Sequence, residues 1–132
     1  MRNVVARYND GRVVKGTTVD FLLDKDVLHV TEPPAVAAWT RTEVRVPELK
    51  ALFFVRDLDG DPLHVERMVF DVEPSPTEYA VEITFGDGEV LLGTTPRYRA
   101  SRNGFFVVPV DAESNNERCY VVRTSARSVR FV

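Results

Sequence analysis

The chain has 132 residues, of which 44% are hydrophobic and 28% are charged, and its formal net charge is −3. This composition is typical of a globular, soluble protein, and no apolar run approaches the roughly 18 residues that a membrane span requires. The N-terminus lacks the pattern of a signal peptide, and the single cysteine, Cys119, excludes an internal disulfide bond. We therefore expect a protein of the reducing cytoplasm.

A nine-residue motif predicts the organisation of the chain because it occurs twice. Residues 10–18 (Asp-Gly-Arg-Val-Val-Lys-Gly-Thr-Thr) return as residues 87–95 (Asp-Gly-Glu-Val-Leu-Leu-Gly-Thr-Thr), 77 positions later, with six identities. The same offset matches hydrophobic positions on both sides of the motif. Only the third strand is aligned with a shift of one residue, which places Val27-Leu28 on Phe105-Phe106. Self-similarity of this extent predicts an internal duplication.

Each copy has the same order of predicted elements. A strand with alternating apolar residues leads into an Asp-Gly turn at residues 9–11 or 86–88, and such turns typically join hairpin strands. The second strand contains Gly16 or Gly93, and a glycine inside a strand marks a bulge or a sharp bend. A third strand, a loop, a fourth strand and a single 3₁₀-like turn then lead to a closing strand.

This order predicts an all-β fold of two tandem five-strand barrels, of the Sm or Src-homology-3 kind, packed together. We predict barrel copy one at residues 1–55, an acidic connector at 56–78 and barrel copy two at 79–132. Each copy carries a net charge of +1, whereas the connector carries −5. Barrels of about 55 residues are near the lower size limit of independent domains, so we expect the copies to pack on each other.

The connector contains an Asp-rich turn at residues 57–62 (Asp-Leu-Asp-Gly-Asp-Pro). An EF-hand loop requires glycine at its sixth position and glutamate at its twelfth, but here the glycine is fourth and the twelfth residue is Met68. We therefore interpret the stretch as a solvated turn. Four apolar residues further along are expected to pack against a barrel: Leu63, Val65, Val69 and Phe70.

Few residues are candidates for catalysis. His29 lies within an apolar alternation and is expected on a strand face, exposed or hydrogen-bonded, and His64 has no cysteine or second histidine nearby. Cys119 begins a strand pattern, which favours a small buried residue over a nucleophile. The chain has no P-loop, Gly-x-Ser-x-Gly or Gly-x-Gly-x-x-Gly motif. We predict a non-enzymatic protein without catalytic residues, cofactor or metal.

The two copies differ on the outer side of their first and last strands. Copy one has Val5 and Phe53 where copy two has Glu82 and Arg130, so copy one presents an apolar strip. Contiguous exposed apolar surface signals a contact. We expect the strip to be covered by the connector, by the other barrel or by a second molecule. Val5 and Phe53, with Trp39 of the long loop in copy one, are the candidate partner-binding residues.

The copies also differ in the loop after the second strand. In copy two this loop combines arginines with an aromatic residue, whereas copy one is acidic and apolar there. Guanidinium groups beside an aromatic ring hold phosphate or single-stranded nucleic acid in some proteins, although a solvated charged loop is the commoner interpretation. The candidate nucleic-acid or phosphate-binding residues are Arg97, Tyr98, Arg99 and Arg102.

Two family resemblances follow from these motifs. The turn at residues 10–12, followed by Gly16 and Phe21, resembles the first signature of Sm-like proteins, which are five-strand barrels that assemble by edge-strand pairing and bind RNA. Over nearly the whole chain, the sequence is also similar to an uncharacterised bacterial domain family, whose members occur alone or beside signalling modules such as PilZ domains. The residues that carry this second resemblance are the two Asp-Gly…Gly-Thr-Thr motifs, residues 49–57, 104–106 and 129–131, and Asp111 with residues 114–116.

The second resemblance implies a regulatory or interaction role in bacterial signalling. We therefore expect a non-catalytic module that binds a protein partner, with a homo-oligomer through the barrel edges as one form of such binding, since edge strands are templates for strand addition. The alternative is an RNA- or nucleotide-binding Sm-like protein that uses the Arg97–Arg102 loop. We favour the first function because the copies lack the basic surplus of nucleic-acid-binding proteins.

Overall fold

The computed structural model describes residues 1–33, 38–71, 73–97, 101 and 103–132. This part of the chain is all-β, as predicted. The strands of the first half are β1 (Arg2–Tyr8), β2 (Val13–Thr18), β3 (Val27–Glu32), β4 (Thr40–Arg45) and β5 (Leu49–Val55). The strands of the second half are β6 (Glu78–Phe85), β7 (Val90–Pro96), β8 (Gly104–Pro109), β9 (Asn116–Val122) and β10 (Ala126–Phe131). Short 3₁₀ turns, Val46–Glu48 and Arg123–Ser125, precede β5 and β10.

The two hairpin turns have the same geometry. Gly11 and Gly88 have φ values of +93° and +92°, a left-handed conformation that glycine adopts without steric cost. The aspartate of each turn accepts a hydrogen bond from the backbone N–H two residues later, at 3.0 Å for Asp10 and 2.9 Å for Asp87. The repeated Asp-Gly motif therefore forms the hairpins β1–β2 and β6–β7, as the sequence predicted.

The strands form one antiparallel sheet in the order β10-β6-β7-β8-β9-β5-β1-β2-β3-β4. Both halves have the same order in the sheet: the fifth strand of each half lies beside its first strand, and the second, third and fourth strands follow. The halves are joined where β5 pairs with β9, from Ala51 opposite Val121 to Phe54 opposite Arg118. The prediction of two packed five-strand barrels of the Sm or Src-homology-3 kind is therefore not confirmed, because β5 and β9 join the halves into one continuous, open sheet.

Two hydrophobic cores lie on the two faces of the central strands. Side chains alternate along a strand, so Leu52 and Phe54 of β5 enter the first core, whereas Ala51 and Phe53 enter the second. Tyr120 of β9 belongs to the first core, together with apolar residues of β1, β3 and β4: Val4, Ala6, Tyr8, Leu28, Val30 and Val44. Each core thus combines side chains of both halves, and all seven residues of β5 are buried.

The side-chain hydrogen bonds also repeat at the 77-residue spacing. Thr18 Oγ1 donates to the carbonyl oxygen of His29 at 2.8 Å, and Thr95 Oγ1 donates to that of Phe106 at 2.6 Å. The donors and the acceptors are both 77 positions apart, so the one-residue shift that the sequence alignment placed at Val27-Leu28 is wrong. A shifted register would turn every side chain of the third strand to the opposite face.

The chain between β5 and β6 has no strand among its described residues. Leu63, Val65 and Val69 are exposed, so the prediction that they pack against a barrel is wrong for these three side chains, whereas the fourth, Phe70, is half-buried. Leu58 packs against the second core instead, and the rest of the connector is attached to the sheet through the polar contacts described below. No helix in the described part of the chain is long and apolar enough to cross a membrane.

Candidate functional site

The described sheet ends in two outer strands, β4 and β10, which pair with β3 and β6 respectively. An outer strand presents a row of unpaired backbone N–H and C=O groups on its open side, which another polypeptide can use. Because β4 belongs to the first half and β10 to the second, one molecule offers two different edges.

Large apolar side chains are exposed at both edges. Trp39, immediately before β4, is 64% exposed, and Phe131 of β10 is 62% exposed. The Phe131 ring packs edge-on against Tyr79 of β6, with the ring centroids 5.1 Å apart. Exposed aromatic residues are enriched where proteins bind each other. Trp39 was predicted as a partner-binding residue; Phe131 was missed, although its position 77 residues after Phe54 indicated an important strand residue.

Trp39 borders a cavity of about 330 Å³ that also contains Asp20 and His29. His29 Nδ1 lies 2.7 Å from Asp20 Oδ2, and the backbone N–H of His29 donates to Asp20 Oδ1 at 2.9 Å. Burial by itself would raise the pKa of Asp20, but the hydrogen bonds from His29 and Thr18 hold it below its ordinary value. His29 is therefore hydrogen-bonded on a strand, as the sequence predicted, and the pair forms a polar wall beside the tryptophan.

Val5 and Phe53, the other predicted partner-binding residues, are buried. They lie opposite each other on β1 and β5, are 6% and 5% exposed, and pack in the second core with Val81 and Ile83 of β6. Of the three covers that the sequence left open for the apolar strip, the second half of the same chain supplies most of the buried residues, and Leu58 of the connector packs against the same core. The strip is an internal contact, so its residues do not form an open surface.

Arg97 is the one candidate nucleic-acid residue within the described part of the chain; Tyr98, Arg99 and Arg102 lie outside it. The Arg97 guanidinium lies 4.3 Å from the centroid of the Tyr79 ring, and its Nε donates to the carbonyl oxygen of Glu78 at 3.3 Å. These contacts attach the end of β7 to the start of β6. Arg97 thus has a structural contact that the sequence did not indicate.

A polar cluster attaches the connector to the second half. His64 Nε2 lies 2.8 Å from Asp111 Oδ2, which also accepts a hydrogen bond from the backbone N–H of Arg67 at 2.9 Å. Asp111 Oδ1 accepts one from the backbone N–H of Glu113 at 2.8 Å. The sequence did not predict this cluster, because 47 positions separate His64 from Asp111 and no local pattern links them.

The cluster shifts the pKa values of its two main members. Hydrogen bonds from the Arg67 and Glu113 backbones, reinforced by His64, hold the pKa of Asp111 below its ordinary value. The hydrogen bond to Asp111 raises the pKa of His64. Ligand atoms of His64, Glu66 and Asp111 lie within 4.8 Å of one another, but both Asp111 oxygens already accept hydrogen bonds. The cluster is a histidine–carboxylate hydrogen bond that anchors the connector, and it becomes an ion pair when His64 is protonated.

Two ion pairs of one lysine join the halves. Lys50 of β5 is buried, and its Nζ donates to Asp87 Oδ2 at 2.7 Å and to Glu89 Oε2 at 2.9 Å. The same Nζ lies 4.8 Å from the centroid of the Phe85 ring. The hydrogen bond from Lys50 lowers the pKa of Asp87. The Asp-Gly turn of the second half is thus bound to the last strand of the first half.

Cys119 lies in β9, opposite Phe53. The side chain is buried, and burial raises the pKa of its thiol above the ordinary value. A buried neutral thiol is a poor nucleophile, so Cys119 is a core residue, as the sequence predicted.

Comparison with known proteins identifies a family. No curated protein and no solved structure matches the chain. A family model described as "Family of unknown function (DUF6982)" matches residues 1–132, in accord with the predicted resemblance to an uncharacterised domain family. The chain therefore belongs to the family of unknown function DUF6982.

Proposed function

We propose that this protein is a non-catalytic interaction module of the cytoplasm, which binds other polypeptides through the open edges β4 and β10. The observation that carries the proposal is the combination, at both edges, of an outer strand with an exposed aromatic side chain: Trp39 at β4 and Phe131 at β10. An open edge can form main-chain hydrogen bonds with an added strand, and an exposed aromatic side chain provides an apolar anchor for it.

Strand addition divides the binding energy between backbone and side chains. The added strand forms main-chain hydrogen bonds with the open edge, and pockets for alternate side chains select the sequence that binds. Trp39 and its cavity, with the Asp20–His29 pair as a polar wall, form such a pocket at β4. Aromatic residues dominate many protein interfaces, so Trp39 and Phe131 are the expected anchors.

Basic and acidic side chains restrict which polypeptides can pair with these edges. Arg127 and Arg130 lie on β10, and Arg41 and Glu43 lie on β4. Charged side chains on an edge strand oppose unselective pairing. The charged edges therefore favour pairing with a specific partner over pairing with an arbitrary exposed β-strand.

Site-specific photocrosslinking in the native cell tests this proposal. A photoreactive phenylalanine analogue is placed at Phe131 or Trp39, and in a control variant at Leu63, which is 89% exposed on the connector and distant in sequence from both edges. We expect discrete covalent adducts with protein from Phe131 and Trp39, but not from Leu63. Absence of adducts at both edges, or the same adducts from all three positions, would contradict the proposal.

A further inference from the structure

The halves are joined by a pairing whose two strands each have a counterpart at an outer edge of the sheet. The first half contributes its fifth strand, β5, and the second half its fourth, β9. At a distance of 77 residues, the counterpart of β5 is β10 and the counterpart of β9 is β4. These are the two outer strands of the described sheet. The chain thus carries on its edges both partners of a second pairing of the kind that it forms internally.

Two residues that touch in the internal pairing have counterparts of the same type at the open edges. Phe54 lies opposite Arg118, whose guanidinium carbon is 4.6 Å from the centroid of the phenyl ring. Their counterparts are Phe131 and Arg41. A guanidinium above an aromatic face is attracted by the ring quadrupole. Phe131 is 62% exposed whereas Phe54 is 2% exposed. The arginine–phenylalanine contact is therefore formed inside the molecule, whereas Phe131 at the edge is open to such a contact.

The end of β10 lacks the cover that the end of β5 has. Val55 is 5% exposed, whereas its counterpart Val132 is 68% exposed. In the internal pairing Val55 lies opposite Asn116, whose counterpart is Trp39. Pairing the two open edges in the same register would place Val132 against Trp39 and remove apolar surface of both from water, which is favourable.

We propose that β10 of one molecule pairs antiparallel with β4 of a second copy of this chain, so that the copies join head to tail. This inference rests on the proposed function and names the partner of both edges. The register is that of the internal pairing moved by 77 residues, with Arg130 opposite Thr42 and Phe131 opposite Arg41. The two surfaces differ, so repeated pairing gives a ring if the rotation closes and a filament if it does not.

The pairing between copies is weaker than the internal one, because its outer faces are charged. Phe53 packs in the second core, but its counterpart Arg130 forms an ion pair with Glu82 on the adjacent strand. The counterpart of buried Tyr120 is Glu43. Charges are costly to desolvate, so assembly is reversible and depends on protein concentration.

Disulfide trapping tests both the contact and its direction. Phe53 and Cys119 lie opposite each other in the internal pairing, and their counterparts are Arg130 and Thr42. The full-length variants Arg130→Cys and Thr42→Cys are purified separately, mixed and mildly oxidised. We expect a covalent dimer in the mixture and none in either variant alone; buried Cys119 is present in both and serves as the background.

Sedimentation velocity provides a second measurement on the same protein. The wild-type chain is expected to form larger species as its concentration rises, and Phe131→Glu is expected to weaken the association at least tenfold while its circular dichroism stays unchanged. Leu63→Glu, on the exposed connector, is the matched control and should associate like the wild type. A wild type that is monomeric at every concentration overturns the head-to-tail pairing. A covalent dimer formed by Arg130→Cys alone or by Thr42→Cys alone also overturns it.

The two proposals fail in different ways. Cellular adducts at Phe131 and Trp39 that contain only other proteins, together with a monomeric purified chain, overturn the self-pairing and leave the interaction function intact. Absence of edge adducts removes the interaction function itself. Edge adducts that contain a second copy of the chain support both.

Discussion

At the scale of single residues, two glycines determine how closely the second and third strands of each half approach. A Cβ atom at Gly16 would lie 2.1 Å from the carbonyl oxygen of Thr31, and one at Gly93 would lie 2.2 Å from that of Val108. Both distances are far below van der Waals contact with backbone atoms that cannot move independently. The glycines are therefore required by close approach of two strands, which the sequence indicated only as a bend or bulge.

We predict that Gly16→Ala and Gly93→Ala each destabilise the protein by about 1–3 kcal/mol or more, the usual cost of overpacking. Gly86→Ala is the matched control, because its Cβ would meet nothing closer than 3.9 Å and its effect should stay within about 0.5 kcal/mol. Urea unfolding followed by tryptophan fluorescence or circular dichroism measures the differences. Equal stability of all three variants would contradict the close-approach interpretation.

At the scale of elements, the connector is attached to the sheet by polar contacts. His64 and the backbone of Arg67 both hydrogen-bond to Asp111, whereas Leu63 and Val65 point into solvent. A segment with few buried apolar contacts opens at low free-energy cost. The stability of the connector's attachment should therefore depend on the protonation states of His64 and Asp111.

The stabilisation that the His64–Asp111 pair gives to the attached connector changes with pH in a defined direction. The pKa of His64 is raised above 6.5 in the folded chain, so its stabilising contribution is complete below about pH 6.5 and is lost as the pH rises through the folded pKa. The pKa of Asp111 is lowered below 3.8, so its contribution is present above that value and is lost as the pH falls through the folded pKa. The connector should be held best between these limits.

We predict that hydrogen-exchange protection of residues 61–71, corrected for the intrinsic exchange rate, falls several-fold from about pH 5 to about pH 8, the range over which histidine titrates. Protection in β5 should stay constant and serves as the internal reference. In His64→Gln the protection of the connector should not vary over this range. A pH-independent wild type, or the same decrease in the variant, would show that His64 does not hold the connector.

At the scale of the whole molecule, the two halves complete each other's cores. Tyr120 of the second half lies in the first core, and Phe53 of the first half lies in the second. The β5–β9 pairing and the Lys50 ion pairs connect the same two halves. Halves of this size bury little apolar surface by themselves, so neither is expected to be stable without the other.

We predict that fragments 1–55 and 79–132 are largely unfolded when separate, because each loses the side chains that the other contributes to its core, and β5 and β9 lose each other as hydrogen-bonding partners. Mixing the fragments should restore part of the β-sheet signal, and the intact chain should unfold in one transition. Circular dichroism and urea unfolding measure both effects. Cooperative unfolding of either fragment by itself would show that each half is an independent barrel.

Much of the strand content and turn chemistry could be predicted because they depend on neighbouring residues. Asp10-Gly11 predicted a hairpin turn, and the alternation around His29 predicted a strand, because both patterns act over a few positions. The positions of Val5 and Phe53 could be identified as apolar and outward-facing within their own copy. What covers them could not be predicted, since the covering residues are on β6, far away in sequence.

The amino-acid sequence was sufficient to predict an all-β chain with two similar halves, the glycine turns and a buried cysteine. Only the folded chain shows that β5 pairs with β9, that the apolar strip is internal, and that β4 and β10 lie at the open edges. The reason is physical: turns and strand alternation arise from local backbone and side-chain chemistry, whereas the choice among equivalent strand edges depends on which pairing buries the most apolar surface across the whole chain.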